Sequence, residues 1–524
     1  MDNQKLILVT GATGYIGGRL IPRLLEAGHK VRVITRDKRH LSGRSWLNQV
    51  EVVQGDVLKA STLNAALDGV NAAYYLVHSI SARANFAERD AKASHNFAQA
   101  AQTHKLEQII YLGGLGDSSE DLSEHLESRH EVGEILRAYA TPVTEFRAAV
   151  IVGAGSVSFE MVRYLTERLP IMITPKWLYT RTQPIAVDDV LAYLIDALKV
   201  PQSHNQVIEI GGKDTMPYID MMMRYADAVH LRRWAVPVPL LAPTLSSYWV
   251  HLVTPISWDI AQPLIQSLEH EVVVTNGKAH ELFPEIQPIG YVESVQRALK
   301  ELDAKKVETT WLDSTADIWE SDEPYTFVEK RGMNIEQRTT EVDATPEVIF
   351  DKLNTIGGKN GWFVLNQLWN LRGIADRFMG GVGNRRTRRD ALHLRVGDTL
   401  DFWRVENIVP ARTILLRAEM KLPGRGWLRF DLEPLDSGKT QLKQTAYFAP
   451  RGFAGWAYWT MLFVFHKIIF DGMIAQIKAL AEQSDDAPKN IISAPSPRIA
   501  PIAITATVIV ALGAIVTVLF RPRS

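Results

Sequence analysis

Residues 5–17 read Lys5-Leu6-Ile7-Leu8-Val9-Thr10-Gly11-Ala12-Thr13-Gly14-Tyr15-Ile16-Gly17. The run Lys5 to Thr10 is apolar and strand-like, and beyond the glycines Ile16, Leu20, Leu24 and Leu25 recur at helical spacing. The glycines therefore sit at a strand-to-helix turn, the setting that separates a dinucleotide-binding loop from an ordinary glycine-rich turn. Gly11 permits the tight turn, Gly14 lets the backbone approach a pyrophosphate, and Gly17 lets helix and strand pack closely. The helix N-terminus adds N–H groups and a partial positive charge for the phosphates. Thr13, Tyr15 and Ile16 complete the loop and join the three glycines as expected cofactor-binding residues.

Outward from this turn, the first 210 residues alternate short apolar strands with helical patterns, the mark of an α/β fold with a doubly wound parallel sheet. The second strand, Lys30 to Thr35, ends at Arg36, where an NAD-selective site usually places a carboxylate for the ribose 2′-hydroxyl. An arginine suits a 2′-phosphate, so NADP(H) is the expected cofactor. Asp37 leaves NAD open, and a solvated surface arginine is the plain alternative. A third strand, Val50 to Val53, leads to Gly55-Asp56-Val57, where Asp56 is placed to accept from the adenine amino group or else to cap the next turn. The fourth, Ala72 to Val77, brings Leu76 and Val77 to the cofactor and ends at His78-Ser79. Ligands of open α/β sheets lie beyond the carboxyl ends of the strands, so His78 is a candidate for cofactor or substrate contact, against a merely hydrogen-bonded histidine. Strand five, Gln108 to Leu112, runs into Gly113-Gly114-Leu115-Gly116; a helix covers 121–139, strand six runs Val143 to Val150, and Pro184 to Val190 reads as a short strand entering a helix.

In this order the pieces resemble the short-chain dehydrogenase/reductase superfamily in its extended and atypical branches. The resemblance rests on the Thr10 to Gly17 turn, Gly55-Asp56, the arginine of Phe146-Arg147-Ala148, and Pro184 to Val190. It is greatest for NmrA-like and complex I accessory-subunit-like members, and it implies an NADP-binding Rossmann domain with Arg147 at the cofactor. The superfamily's machinery is a Ser after strand five and a Tyr-x-x-x-Lys on the next helix. No lysine occurs from Leu106 to Pro175, so that motif is absent there. Aligning Gly133-Glu134 with the family's Gly-Glu puts Leu126 at the Tyr position, His130 at the Lys position, and Gly113 or Gly114 at the Ser. Either His78, Arg129 and His130 supply other acid–base chemistry, or the nucleotide is bound for structure or sensing.

At 524 residues the chain is long enough for two or three domains. Its formal net charge of −1 sets up no global field for nucleic acid, and no such partner is expected. The absence of cysteine excludes disulfides, thiolate metal sites and a Cys nucleophile; no zinc spacing occurs, so no metal is expected. No charged-then-apolar leader precedes the first strand, so no secretory signal is expected. From Met216 to Ile256 Pro, Trp, Tyr and Leu accumulate. In the superfamily this region builds the substrate lobe, and an apolar one implies an apolar, lipid- or quinone-like substrate unless the residues fill a core. The first domain is expected over 1–300, followed by a charged connector over 301–332.

Residues 333–483 read as a second, α+β domain. Asn334 to Val342 is strand-like, Pro346 to Leu353 helical, and alternating segments follow at Thr399–Val405, Thr413–Met420, Trp427–Leu432 and Gln441–Phe448, before a long helix from Phe453 to Ala481. This succession resembles the START-like helix-grip fold, whose sheet wraps a hydrophobic cavity, implying an apolar small-molecule ligand. Trp369 to Gly373, Gly380 to Gly383, Asp401 to Val405 and Met420 to Gly424 resemble a domain of unknown function found behind atypical reductase domains in bacterial proteins. Arg385-Arg386-Thr387-Arg388-Arg389 follows a glycine-rich turn and could hold a phosphate or lie against anionic headgroups, or be a solvated loop. The aromatic residues Trp456, Trp459, Phe463, Phe465 and Phe470 fit core packing over the sheet.

A Pro/Ser linker over 484–498 precedes Ile499 to Phe520, 22 uncharged residues between Arg498 and Arg521. That stretch reads as a transmembrane helix. The expectation is a single-pass C-terminal anchor in the lipid bilayer with the soluble domains in the cytoplasm, where dinucleotides reside. The leading function is then a membrane-anchored atypical NAD(P)-dependent oxidoreductase acting on an apolar molecule. The alternatives are a non-catalytic NADPH-binding redox sensor or assembly factor, and a lipid-binding protein.

Overall fold

A computed structural model describes residues 4–483 apart from 78–85, 117–122, 239–249, 251–252, 255, 257, 304–306, 312–332, 359–360, 363–365, 384–387, 391, 436 and 451. The chain divides into two compact units, Met1–Glu320 and Ser321–Ser524.

The first unit begins with β1 (Leu6–Val9), α1 (Tyr15–Glu26), β2 (Lys30–Thr35), β3 (Glu51–Gln54) and α2 (Leu63–Leu67). It continues with β4 (Ala72–Tyr75), α3 (Phe86–Thr103), β5 (Gln108–Gly114), α4 (Glu124–Arg137) and β6 (Val143–Ala148). Beyond these lie β7 (Ile151–Val152), α5 (Val157–Arg168), β8 (Ile171–Pro175), β9 (Arg181–Thr182), β10 (Ile185–Ala186) and α6 (Val187–Asp196). They are followed by β11 (Gln206–Ile210), β12 (Met216–Pro217), α7 (Tyr218–Ala228) and β13 (Trp234–Val238).

Seven strands form one parallel sheet in the order β11-β6-β5-β4-β1-β2-β3. Alternation along β1 explains why both faces are covered. Ile7 and Val9 pack with Leu20 and Leu24 of α1 and Leu191 of α6, whereas Leu8 packs with Leu63 of α2 and Phe97 of α3. The Ile7, Leu8 and Val9 side chains are fully buried, each contributing on the order of 2 kcal/mol. The strand order reverses between β1 and β4, which opens a crevice at their carboxyl ends.

Strand ends differ from the sequence pattern at β3, which runs Glu51–Gln54, at β6, which stops at Ala148, and at β4 and β5. β4 stops at Tyr75, because Leu76 N turns to Thr10 Oγ1 (2.9 Å). β5 runs on through both glycines, which pair with Arg147 and Ala148 of β6. Of the described residues in the apolar stretch from 216, Met216, Tyr218, Met221, Tyr225, Val250 and Ile256 fill a core with Phe159, Trp177 and Val295. Residues 307–311, expected in the connector, belong to the first unit, where Val307 and Trp311 are buried.

The second unit carries an antiparallel sheet of β14 (Asn334–Val342), β15 (Thr399–Leu400), β16 (Trp403–Val409), β17 (Thr413–Ala418), β18 (Gly424–Pro434) and β19 (Thr440–Pro450). Its order is β14-β19-β18-β17-β16-β15. The segment expected as one strand over Thr399–Val405 is instead a hairpin, with Leu400 paired to Trp403 and Asp401 at φ +54° in the turn. A closing helix, Gly452–Glu482, lies over β14 and β19, and Trp459 stacks on Phe448 at 5.2 Å. A helix over Asn366–Phe378 has no counterpart in the sequence reading, where Gly373 and mixed polarity hide its period. Of the arginine run, Arg388 donates to the carbonyls of Asn354 (2.5 Å), Ile356 (2.6 Å) and Asp390 (2.9 Å), and Arg389 pairs with Asp398 at 3.0 Å. These two arginines hold their own loop; residues 385–387 lie outside the described residues.

The expected membrane placement is corrected. Among the described residues no helix is long and apolar enough to cross a membrane. The longest, Gly452–Glu482, carries His466, Lys467 and Asp471 and packs on its sheet. The stretch Ile499 to Phe520, on which the bilayer anchor rested, lies outside the described residues.

Candidate functional site

At the crevice, the loop after β1 is held from below. Thr10 N and Oγ1 both donate to Tyr74 O at 3.0 Å, and Thr10 Oγ1 accepts from Leu76 N. Gly11 adopts φ +69°, and a Cβ there would meet Leu76 O at 2.6 Å; a Cβ on Gly17 would meet Gly11 O at 2.3 Å. The first helical bond of α1 runs from Gly18 N to Gly14 O (3.0 Å). No side chain caps α1, and no acidic residue lies in its first turn. The helix therefore directs its first N–H groups and positive dipole end into the crevice, and this cradle fits a pyrophosphate.

At the end of β2, Arg36 is exposed. Asp37 caps the following 3₁₀ turn: its Oδ1 accepts from Arg39 N (2.8 Å), and Arg39 closes a salt bridge to Oδ2 at 2.6 Å. Burial pushes this carboxyl up, but the Arg39 hydrogen bonds win and hold it below the usual carboxylate range. Asp56 is half-buried and its Oδ1 accepts from Leu58 N at 3.0 Å, a turn cap at the end of β3, with Val57 buried beside it. Leu76 and Val77 are half-buried at the end of β4. His78 lies outside the described residues.

Behind the loop stands a support that the sequence reading missed. Arg19 is 2 % exposed. It donates to Glu301 Oε1 (2.6 Å), Ala154 O (2.8 Å) and Thr309 Oγ1 (3.0 Å). Thr309 Oγ1 in turn donates to Tyr15 O at 2.8 Å, so Glu301 and Thr309 brace the first turn of α1. Arg44, also buried, donates to Thr13 O at 3.3 Å. Arg19 follows Tyr15 by four residues, which predicts a shared helix face but gives no sign of partners nearly 300 residues away.

The α4 side holds the remaining candidates. Arg129 is half-buried and donates to Leu112 O, while its own carbonyl accepts from Tyr111 Oη at 2.9 Å. His130 is 5 % exposed, and Nε2 donates to Gly114 O at 3.1 Å, which fixes the tautomer. Burial first, then the Arg147 guanidinium, push His130 down to about 4, so it is a neutral tether at pH 7. Arg147, near the end of β6, donates to the fully buried Glu145 at 2.6 Å, and Arg137 closes on the same carboxylate. A Cβ on Gly133 would strike Glu145 Oε2 at 2.3 Å. A Cβ on Gly114 would meet Leu126 Cδ2 at 2.8 Å, so Gly114, one of the two glycines expected at the Ser position, packs against the residue expected at the Tyr position.

These burials set a pH dependence. His125, on the same helix, is pushed to about 3 by burial and His130 to about 4. Between about pH 6.5 and about pH 4 the unfolded chain binds protons on these rings that the folded chain does not. Stability present at pH 7 is therefore lost as pH falls through that window. Urea unfolding at pH 7, 6 and 5 should show His130→Gln taking up about one proton fewer than wild type near pH 5.

Residues 3–215 match the family model described as "NmrA-like family", and residues 334–473 match "Protein of unknown function (DUF2867)". A ceramide reductase of Caulobacter vibrioides is 28% identical over 207 residues, 38% of this chain and 63% of that protein. A 3 beta-hydroxysteroid dehydrogenase/Delta 5-->4-isomerase of Mycobacterium tuberculosis is 38% identical over 69 residues, 13% of this chain and 18% of that protein. The chain spans less than two thirds of the length of these curated relatives. Among solved structures, a triphenylmethane reductase of Citrobacter sp. aligns with a TM-score of 0.46 at 19% identity, over 56% of this chain and 99% of that one.

Proposed function

We propose that the NmrA-like NAD(P)-binding domain of this chain takes NADP(H) and serves an oxidoreductase that works without the Tyr/Lys pair on an apolar, lipid- or quinone-like molecule. The observation that carries the cofactor choice is the division of labour after β2: Arg39 consumes the Asp37 carboxylate, while Arg36 is exposed at the same strand end. In this reading the amides of Gly11 to Gly17, with Thr13, Tyr15 and Ile16, hold the pyrophosphate. Arg36 takes the 2′-phosphate, Asp56 and Val57 the adenine, and Leu76, Val77 and Arg147 the crevice beyond. Bound NADPH supplies a hydride. Of the three candidate catalytic residues, Arg129 and His130 are committed to the backbone of β5. Proton delivery is then assigned to His78, the third candidate of the sequence reading.

Support for an apolar substrate comes from the paired strands β8 and β13. Ile171 lies opposite Trp234 and Ile173 opposite Val236, all four about half exposed or more. Two relatives are named for a ceramide and for a 3 beta-hydroxysteroid. The second unit is read as a START-like helix-grip module for an apolar small molecule, on the strength of its long helix over an antiparallel sheet.

A second reading, a non-catalytic NADPH sensor or assembly factor, is favoured by the Gly114–Leu126 contact and the neutral, tethered His130. Titration of the full chain with NADPH and NADH separates these cases. Arg36→Ala is expected to weaken NADPH about tenfold and leave NADH within twofold. Equal affinity for both nucleotides in wild type would sink the NADP preference. Turnover that His78→Gln abolishes without changing NADPH affinity supports the oxidoreductase; tight, slowly exchanging cofactor with no turnover supports the sensor.

A further inference from the structure

The inner face of the second unit carries polar groups that the nucleotide reading does not use. Asn334, Glu336 and Arg338 alternate along β14 on its more buried face, and Gln444 of β19 is paired opposite Arg338. The closing helix sets His466, Phe470 and Met473 against them: His466 Nδ1 is 3.9 Å from Glu336 Oε2, Arg338 lies 5.7 Å from the Phe470 ring, and Gln444 Nε2 donates to Met473 Sδ at 3.6 Å.

Gln444 is 1 % exposed, yet its Oε1 has no hydrogen-bond partner. The same holds for the buried atoms Glu336 Oε1 and Oε2, His466 Nδ1 and Asn334 Nδ2. Arg338 Nη2 lies 2.6 Å from Glu336 Oε1 as an ion pair without hydrogen-bond alignment, and its Nε donates to Asp471 Oδ1 at 2.7 Å. A buried polar atom left without a hydrogen bond is destabilising, a carboxylate most of all. Four such atoms, beside a Glu336 Oε1 held only by its ion pair to Arg338, leave a place in this cluster for a partner from outside the chain.

The chemistry of that partner follows from the set. Three of the five atoms are acceptor oxygens. Two carboxylates, Glu336 and Asp471, face one arginine, leaving a net charge of −1. Burial, then Arg338, push His466 down to about 4, so it adds no positive charge at pH 7. The Trp459 and Phe470 rings flank His466 at 4.6 and 5.5 Å and make the surroundings of the cluster apolar. An anion would meet the Glu336 carboxylate and is disfavoured.

We propose that this cluster between β14, β19 and the closing helix is a binding site for a protonated amine with an apolar body, its ammonium group donating to Glu336 and Gln444 Oε1. The proposal does not rest on the nucleotide reading.

The test is titration of the full chain with hexylammonium, hexanol and hexanoate, read by calorimetry and tryptophan fluorescence. Hexylammonium should bind at least tenfold more tightly than hexanol, and hexanoate should not bind. Glu336→Gln should weaken hexylammonium about tenfold or more. Should that variant fail to fold, Gln444→Leu carries the same comparison, with a severalfold loss expected. Equal binding of the amine and the alcohol overturns the proposal, as does unchanged amine affinity in the folded variants. So does a crystal structure at saturating hexylammonium in which ordered water alone satisfies the five atoms.

Discussion

Replacing Gly17 by alanine is expected to weaken NADPH binding at least a hundredfold, about 3 kcal/mol, and to abolish the rise in melting temperature that the nucleotide gives the wild type. The added Cβ would stand 2.3 Å from Gly11 O and 2.8 Å from Gly11 C. Both are backbone atoms, so no rotamer relieves the clash and the loop itself must shift. It cannot shift downward, because Gly11 already rests against Leu76 O, where its own Cβ would meet the oxygen at 2.6 Å. Relief therefore comes by lifting the loop into the crevice, which displaces the amides that would hold the pyrophosphate. A loss of stability of about 2 kcal/mol should accompany it. Calorimetric titration of folded G17A decides the matter: NADPH affinity within threefold of wild type would remove this loop from the nucleotide site.

The second large effect is expected at Arg19. Arg19→Leu deletes the donors to Glu301, Thr309 and Ala154 O at a position 2 % exposed. Breaking one side of a buried pair costs about 3–5 kcal/mol, but Glu301 keeps 26% of its side chain in solvent and can rehydrate. A loss near 3 kcal/mol is therefore expected in urea unfolding, toward the low end of that range. The double variant with Glu301→Leu should recover part of it, since the stranded carboxylate is then gone. Because Thr309 also bonds Tyr15 O, the single variant should loosen α1 and weaken NADPH severalfold even where it remains folded. A stability loss below about 1 kcal/mol would mean that Arg19 behaves as a surface ion pair and the brace is not a structural support.

The same contrast between local and distant partners explains what was legible in the sequence. The β1–loop–α1 unit could be read because everything that makes it lies within about 20 residues: strand apolarity, glycines at the turn, and helical spacing beyond. The parallel strands and the antiparallel strands of the second unit were legible for the same reason, with ends shifted where a tertiary bond intervened, as Thr10 ends β4 at Tyr75. The Asp401 hairpin was hidden because one residue in a left-handed turn leaves the alternation around it nearly intact. The membrane placement failed differently: the anchor rested on the uncharged run 499–520 and its orientation on the expected cofactor, and no described helix is long and apolar enough to cross a membrane.

Sequence by itself determined that this chain has three glycines, Gly11, Gly14 and Gly17, at a strand-to-helix turn, an arginine after the second strand, and no Tyr-x-x-x-Lys over residues 106–175. Only the tertiary structure decided what those residues are able to do. It brought Leu76 O against Gly11 and Thr309 against Tyr15, gave the Asp37 carboxylate to Arg39, and buried His130 beside Arg147 until its ring stayed neutral. Periodicity reports which face of an element is apolar. Desolvation, hydrogen-bond partners and the room for a methyl group depend on what folds against that face, often from hundreds of residues away.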